Sequence, residues 1–300
     1  MLTVVIPATD RPPTLERCLA ALACSDEPHE IELVGEPWRL GPAGARNAGV
    51  ARGGGEIVVF VDADVAVHPD ALRRLRERLD ADQGLAAVFG AYDDEPEAQA
   101  TVSRFRNLLH HHVHAGSPGE AQTFWAGLGA IRRDAFDAVG GFDAQRFARP
   151  SIEDVELGMR LTDAGLRVAL DPSARGTHLK RWTLRAMLRT DLADRGAPWV
   201  ALALQRGEAG TALNLGWRHR AAAAAALGAV GALALGRPRA AAAAVLAMIL
   251  PNMSFYALLR RQGGARLALA GVPLHLLHHL TAALSVPAGV ALWVARGAGR

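Results

Sequence analysis

Lysine is absent from the first fifty residues of this 300-residue chain. A Gly-rich, Lys-containing phosphate loop therefore has no place near the N-terminus, which counts against nucleotidyl transfer by that route. Cysteine is almost absent: Cys18 and Cys24 are the two in the chain, six residues apart. That spacing makes neither a metal motif nor a disulfide framework, and both read as small core or near-surface residues in a reducing compartment. The formal net charge is only +3, with acidic residues abundant through the first two thirds. No dense basic run with interleaved aromatics occurs, so nucleic acid is not an expected partner. The opening Met-Leu-Thr-Val-Val-Ile-Pro carries no basic segment and no long apolar segment of a secretory signal. The expectation is that the first domain stays in the cytoplasm.

Apolar sequence is what the chain has in excess. Hydrophobic residues make up 50% of it, and they gather after about residue 220. Three apolar stretches cover residues 221–236, 240–259 and 267–295. A bilayer span needs roughly twenty apolar residues, so the first stretch is short and the third long. The third is interrupted by Pro273, Pro287 and the histidines His275, His278 and His279. Arginines flank every stretch, so charge bias does not orient them, and two to four spans are compatible with the pattern. Ahead of them, residues 181–195 set Trp182, Leu184, Met187, Leu188 and Leu192 against Arg181, Arg185, Arg189 and Arg195. Such a basic amphipathic helix suits a membrane interface and its lipids. The expected organisation is a catalytic domain over 1–180, an interfacial linker over 181–220, and membrane-associated helices over 221–300.

The first 180 residues alternate strand and helix. Residues 2–6 read as a buried strand ended by Pro7, and Thr14 as the cap of a helix bearing Leu15, Cys18, Leu19 and Leu22. Residues 31–34 read as a second strand. Residues 57–61, Ile-Val-Val-Phe-Val, read as a third that is continuously apolar, as in a parallel sheet buried on both faces. Strands over 85–92 and 167–170, with helices over 69–79, 101–114 and 134–139, complete an α/β pattern with a doubly wound, mostly parallel sheet. Ser151 and Asp154 have the spacing of a capping box for a helix that Gly165 ends.

Two carboxylates, Asp62 and Asp64, follow the third strand directly. Ligands of open α/β sheets bind beyond the carboxyl ends of such strands. Paired carboxylates repel unless a cation compensates, and an oxygen-rich site suits Mg²⁺ or Mn²⁺ bridging to phosphates. A strand end with a capping Asp is the plainer account of the same residues. His110 and His114 share a helix face at metal-binding spacing, yet no third ligand accompanies them.

Several segments together resemble the family 2 glycosyltransferases of GT-A fold, in the membrane-associated bacterial form. They are Val4 to Pro12, Gly41-Pro-Ala-Gly-Ala-Arg-Asn-Ala-Gly49, Phe60-Val-Asp-Ala-Asp64, Phe124 to Arg133 followed by Gly140-Gly-Phe-Asp143, and Glu153-Asp154. Their order and approximate spacing are the family's. The resemblance implies an inverting, metal-dependent glycosyltransferase. It would move a sugar from a nucleotide-sugar donor to a lipid-linked or cell-envelope acceptor at the cytoplasmic face of the inner membrane. Asp154 and Glu153 are then the catalytic pair. Pro7, Thr9, Asp10, Arg46, Asp62 and Ala63 face the nucleotide sugar, and Trp125 and Gly127 lie on the acceptor side. Asp64 and Asp62 hold Mg²⁺ or Mn²⁺, with His178 a further candidate ligand. One departure concerns the second strand: the family's Val-Asp-Asp-Gly-Ser is replaced by Ile31-Glu-Leu-Val-Gly-Glu36. Glu32 and Glu36 are the acids available in place of the usual base-binding Asp. The Arg181-Trp182 pair echoes processive relatives without their full motif. The competing readings are a catalytically weak or non-catalytic membrane-bound protein of the same fold, and a nucleotidyltransferase on a similar sheet.

Overall fold

A computed structural model describes residues 1–38, 40–207 and 216–297. The chain divides into two compact units, one of residues 1–97 and 113–180, the other of residues 98–112 and 181–297 among those described. Thus residues 98–112 group with the C-terminal helices. Part of the expected linker, 208–215, lies outside the described residues.

In chain order the first unit contains β1 (Leu2–Pro7), α1 (Leu15–Ala23), β2 (His29–Val34), α2 (Pro42–Arg52), β3 (Ile57–Val61), β4 (Val65–Val67), α3 (Ala71–Ala81) and β5 (Leu85–Tyr92). Helix α4 (Thr101–Ala115) crosses the division, and β6 (Gly119–Ala121), β7 (Leu128–Arg132), α5 (Arg133–Ala138), α6 (Glu153–Asp163) and β8 (Arg167–His178) complete the unit. The eight strands form one sheet in the order β2-β1-β3-β7-β5-β8-β4, with β6 on β8. It is a mixed sheet. β1 pairs parallel with β2 and β3, and β5 parallel with β8, while β7 runs antiparallel between β3 and β5. The alternation of strand and helix could not reveal this. β7 enters the sheet after the long excursion through α4 and reaches its place against the direction of its neighbours.

Continuous apolar runs bury β1, β3 and β5 almost completely, as strands covered on both faces require. Phe60 of β3 is fully buried and meets Phe124 and Phe142 edge-to-face at centroid distances of 6.3 and 5.2 Å. Such pairs add about 0.5–1.5 kcal/mol beyond the area they bury. Two helix starts differ from the expected capping. Thr14 does precede α1, but its hydroxyl donates to the Ala63 carbonyl at 2.8 Å rather than capping the helix. The Ser151–Asp154 capping box does not form either: α6 starts after Ile152 without a side-chain cap. The expected strand over 167–170 runs on to His178, which is its last residue rather than a residue beyond it.

The second unit carries α7 (Leu184–Arg189), a π-helical turn (Thr190–Gly196) and α8 (Ala197–Arg206) as one continuous path. After the residues not described come α9 (Trp217–Ala234), α10 (Pro238–Ile249), a 3₁₀ turn (Leu250–Asn252) and α11 (Met253–Gly297), which kinks at Gly263 and Gly264. The expected span over 240–259 is interrupted, because Pro251 lies in the 3₁₀ turn between α10 and α11. By contrast Pro273 and Pro287 are accommodated inside α11. The stretch Pro238–Gly297 is the one among the described residues that is long and apolar enough to cross a membrane. Trp182 is not a surface group. It is buried, donates to Asn107 Oδ1 at 3.0 Å, and lies in a core with Phe105, Met187, Phe255 and Leu259.

A close approach to backbone in the sheet unit is made at Gly158 of α6. A Cβ there would stand 2.1 Å from the Phe124 backbone nitrogen and 2.4 Å from the Thr123 carbonyl carbon. Backbone cannot move aside as a side-chain tip can, so Gly158→Ala is expected to destabilise the unit by about 1–3 kcal/mol or more. A denaturation midpoint unchanged from wild type would refute this account of the packing.

Candidate active site

The Asp62-Ala63-Asp64 turn is fixed through its backbone. The antiparallel register of β3 and β7 pairs Val61 with Leu128, so Asp62 follows opposite Gly127, and its N–H donates to the Gly127 carbonyl at 3.1 Å. Val65 N–H closes the turn on the Asp62 carbonyl at 2.9 Å, and Leu179 N–H reaches the Asp64 carbonyl at 2.8 Å. With the Thr14 bond to Ala63, every residue of the turn is tied to a different part of the unit. The side chains are thereby left for chemistry. The nearby Cys18 thiol donates to the Asp62 carbonyl at 3.6 Å. Burial, reinforced by the two aspartates, pushes its pKa up to about 12, so it stays protonated and unreactive at neutral pH.

Arg46 organises the acids. It sits on α2, only 4% exposed, and donates to Asp62 Oδ1 at 2.6 Å and to Glu153 Oε1 at 3.0 Å. Burial opposes its charge, but Asp62, Glu153 and Asp154 outweigh that and hold it firmly cationic. Glu153, the first residue of α6, is 5% exposed, and its other oxygen accepts from the Ser151 N–H at 2.9 Å. It is therefore turned inward toward Arg46 instead of outward toward a substrate. Arg46 likewise, expected at the nucleotide sugar, is engaged by protein carboxylates.

The two aspartates of the turn have opposite environments. Burial raises the pKa of Asp62, Arg46 opposes this, and the charges of Asp64 and Glu153 add to the rise, leaving it above the ordinary carboxylate value. Burial also works to raise Asp64. There the hydrogen bond and charge of His178, with Lys180, outweigh it and hold the group below its usual value. Antiparallel pairing of β4 with β8 puts Val65 opposite His178, which brings Nε2 to 3.5 Å from Asp64 Oδ2. The imidazole lies flat on Tyr92, with centroids 4.1 Å apart and planes 9° apart. Tyr92 was not singled out in the sequence. Its contact depends on the parallel pairing of β5 with the extended β8, which no local pattern announces.

Residues from the acceptor-side segment come to the same place. Asp154, in the first turn of α6, accepts from the Ala126 N–H at 3.3 Å and from Val155 N–H at 2.8 Å. Trp125 is 6% exposed and packs edge-to-face on Tyr92 at 4.7 Å and on His114 at 5.1 Å. That contact accounts for Gly127, where a Cβ would fall 2.4 Å from the indole. His114 thus has an aromatic packing role.

On the other side, Pro7 ends β1 level with Val34 of β2. Ala8 and Thr9 are buried and Asp10 is exposed on the loop that follows. A concavity of about 340 Å³ opens past these strand ends, lined by Ala8, Arg11, Pro12, Leu33, Gly35 and Glu36 among others. Arg11 and Glu36 pair at 3.0 Å beside it. Glu36 is therefore placed at this concavity, while Glu32 is not among its lining residues.

Removing the buried cation tests the charge balance. Arg46→Gln leaves Glu153 buried without its partner, and loss of one member of a buried pair costs about 3–5 kcal/mol. The expected outcome is a clearly lowered urea midpoint. An unchanged midpoint would show that the acids do not depend on Arg46.

The family model for Glycosyl transferase family 2 matches residues 21–140. A pre-mycofactocin glycosyltransferase of Mycobacterium tuberculosis is 30% identical over 209 residues, covering 61% of this chain and 43% of the relative. The succinoglycan biosynthesis protein ExoO of Rhizobium meliloti is 39% identical over 69 residues, 23% of this chain and 20% of that one. The chain thus spans less than half the length of these curated relatives. Among solved structures, the mannosyltransferase PcManGT of Pyrobaculum calidifontis, in complex with GDP-Man and Mn²⁺, aligns with a TM-score of 0.56. It is 21% identical and the alignment covers 95% of this chain and 86% of that one. The sheet unit has the GT-A fold, and residues 21–140 of the chain are similar to glycosyl transferase family 2.

Proposed function

We propose that the chain transfers a sugar, with inversion, from a nucleotide-sugar donor to a hydroxyl of a lipid-linked or cell-envelope acceptor at the cytoplasmic face of a membrane. The observation that carries this reading is the convergence of Asp62, Asp64, Arg46 and Asp154 at one edge of the sheet. Structural neighbours and relatives are glycosyltransferases, and the Pyrobaculum mannosyltransferase holds a nucleotide sugar with Mn²⁺.

The donor's nucleoside would enter the concavity past β1 and β2, which Arg11 and Glu36 line, with Thr9 and Asp10 on the adjoining loop. Glu36 stands in for the acid that the family usually carries there. Asp64 Oδ2 and His178 Nε2, 3.5 Å apart, with Asp62 two residues before Asp64, fit a divalent cation. When bound, that cation supplies charge neutralisation for the departing diphosphate. An imidazole among the ligands weighs toward Mn²⁺ over Mg²⁺, which keeps to oxygen.

Asp154 takes the proton from the acceptor hydroxyl as its oxygen forms a bond to the anomeric carbon, while the bond to the diphosphate oxygen breaks on the opposite face. The α6 dipole favours the ionised form that a general base needs. Arg46 and Glu153 act by holding Asp62 and the start of α6 in register. Trp125 walls the acceptor side.

A panel of UDP-, GDP- and TDP-sugars with Mn²⁺ tests the reading. One donor should be hydrolysed or transferred, and absence of both turnover and metal-dependent nucleotide binding across the panel would overturn it. With the active donor, Asp154→Asn should lower transfer by about 10²–10⁴-fold, the usual worth of a general base, while nucleotide binding persists. Loss of both would remove Asp154 from that role.

Attachment to the bilayer is carried by Pro238–Gly297, of mean hydropathy 1.8 over its most apolar window. The chain should remain with membranes after alkaline carbonate washing. Release by that wash would rule out a spanning segment.

A further inference from the structure

A second cluster of ligating side chains lies in the helical unit. His219, in the first turn of α9, meets His278 and His279 of α11. One ring nitrogen from each lies within 4.8 Å of the other two. Ring centroids are 5.6 Å apart for His219–His278, 4.8 Å for His219–His279 and 5.4 Å for His278–His279. Adjacent histidines on a helix usually diverge by about 100°. Here both are buried, and the half-buried His219 meets them from another helix.

Two observations distinguish this cluster from histidines that merely fill a core. The first is His279, which is 1% exposed and has no hydrogen-bond partner at either ring nitrogen among the described residues. An unmade hydrogen bond at a buried polar atom costs about 1–3 kcal/mol, so such a ring calls for a ligand. The second is His278. Its Nδ1 lies 2.8 Å from Asp191 Oδ2, and the other Asp191 oxygen is held by Arg106 at 2.8 Å. A carboxylate on one ring nitrogen orients the imidazole and directs the lone pair of the other outward. This is the arrangement that supports metal-ligating histidines. Asp191 belongs to the π-helical turn Thr190–Gly196, an irregularity found frequently at functional sites. His275 lies alongside but is already paired with the Tyr256 hydroxyl at 3.0 Å.

We propose that His219, His278 and His279 bind a zinc ion that fastens the first turn of α9 to α11. Three imidazoles with no carboxylate among them suit zinc and exclude Mg²⁺ and Ca²⁺, which require oxygen. On a tetrahedral zinc, with bonds of about 2.05 Å, ligating nitrogens stand roughly 3.3 Å apart. The present separations, within 4.8 Å, contract to that value when the ion binds. Three protein ligands leave a fourth position for water or an exchangeable ligand. This site differs in chemistry from the carboxylate-rich one in the sheet unit, so the two can be told apart by metal as well as by mutation.

The test uses the full-length chain in detergent, prepared without a polyhistidine tag, loaded with zinc and desalted. Metal analysis should find stoichiometric zinc that persists in Asp62→Asn and Asp64→Asn and is lost in His219→Ala and His279→Ala. Asp191→Asn should weaken zinc binding by about 10- to 100-fold, the usual effect of losing such a carboxylate partner. X-ray absorption on the zinc-loaded wild-type chain requires no variant, and should show nitrogen ligands at about 2.0–2.1 Å. Zinc retained at full level in both histidine variants would overturn the proposal. So would absence of zinc from wild type, or a first shell of oxygens. If a histidine variant fails to fold, the wild-type absorption spectrum decides.

Discussion

The sheet unit depends on one buried cation. Arg46 stands between Asp62 and Glu153, which come from distant parts of the chain and would otherwise repel one another at the edge of the sheet. Its planar fork can address two carboxylates at once, which a lysine's single ammonium cannot do with the same geometry. By satisfying Glu153 it anchors the start of α6, and by gripping one oxygen of Asp62 it orients that carboxylate. Asp154, the next residue of α6, inherits its position from that anchor. The proposed base and the Asp62 carboxylate are therefore positioned through a single guanidinium.

Around this pair the site is built mostly from backbone. Four hydrogen bonds from separate elements hold the turn, and the Gly158 contact lets α6 lie against the Thr123–Phe124 backbone. Rigid strands and a closely packed helix present the side chains, and few of them are free to drift. Preorganisation of this kind costs nothing at the moment of reaction. The helical unit uses the same device once more. There Arg106 holds Asp191, and Asp191 holds His278, so a charged pair again orients a candidate ligand.

Much of the fold was legible in residues alone. Continuous apolar runs located β1, β3 and β5, and helical spacing located α1, α3 and α4. The order of the segments resembles that of the family 2 glycosyltransferases. The sites that failed to follow local rules are instructive. Thr14 has the chemistry of a cap, yet its hydroxyl finds a better use on Ala63. Ser151 and Asp154 have capping spacing, yet Asp154 turns to the Ala126 N–H. In each case a tertiary partner outcompeted the local one. β4 and β6, at three residues each, are too short to announce themselves, and they exist because β8 offers an edge to pair with.

Sequence by itself determined which chemical groups are present and which lie at strand ends, because apolar runs and the acids that close them are local features. It also set the division between a mixed-polarity first part and an apolar tail. Only the tertiary structure decided direction and partnership. β7 enters antiparallel, His178 becomes a strand residue stacked on Tyr92, Arg46 and Glu153 turn inward to each other, and three histidines from two helices meet. These outcomes rest on contacts between residues far apart in the chain, where charge, packing and register are settled together and no local period records the result.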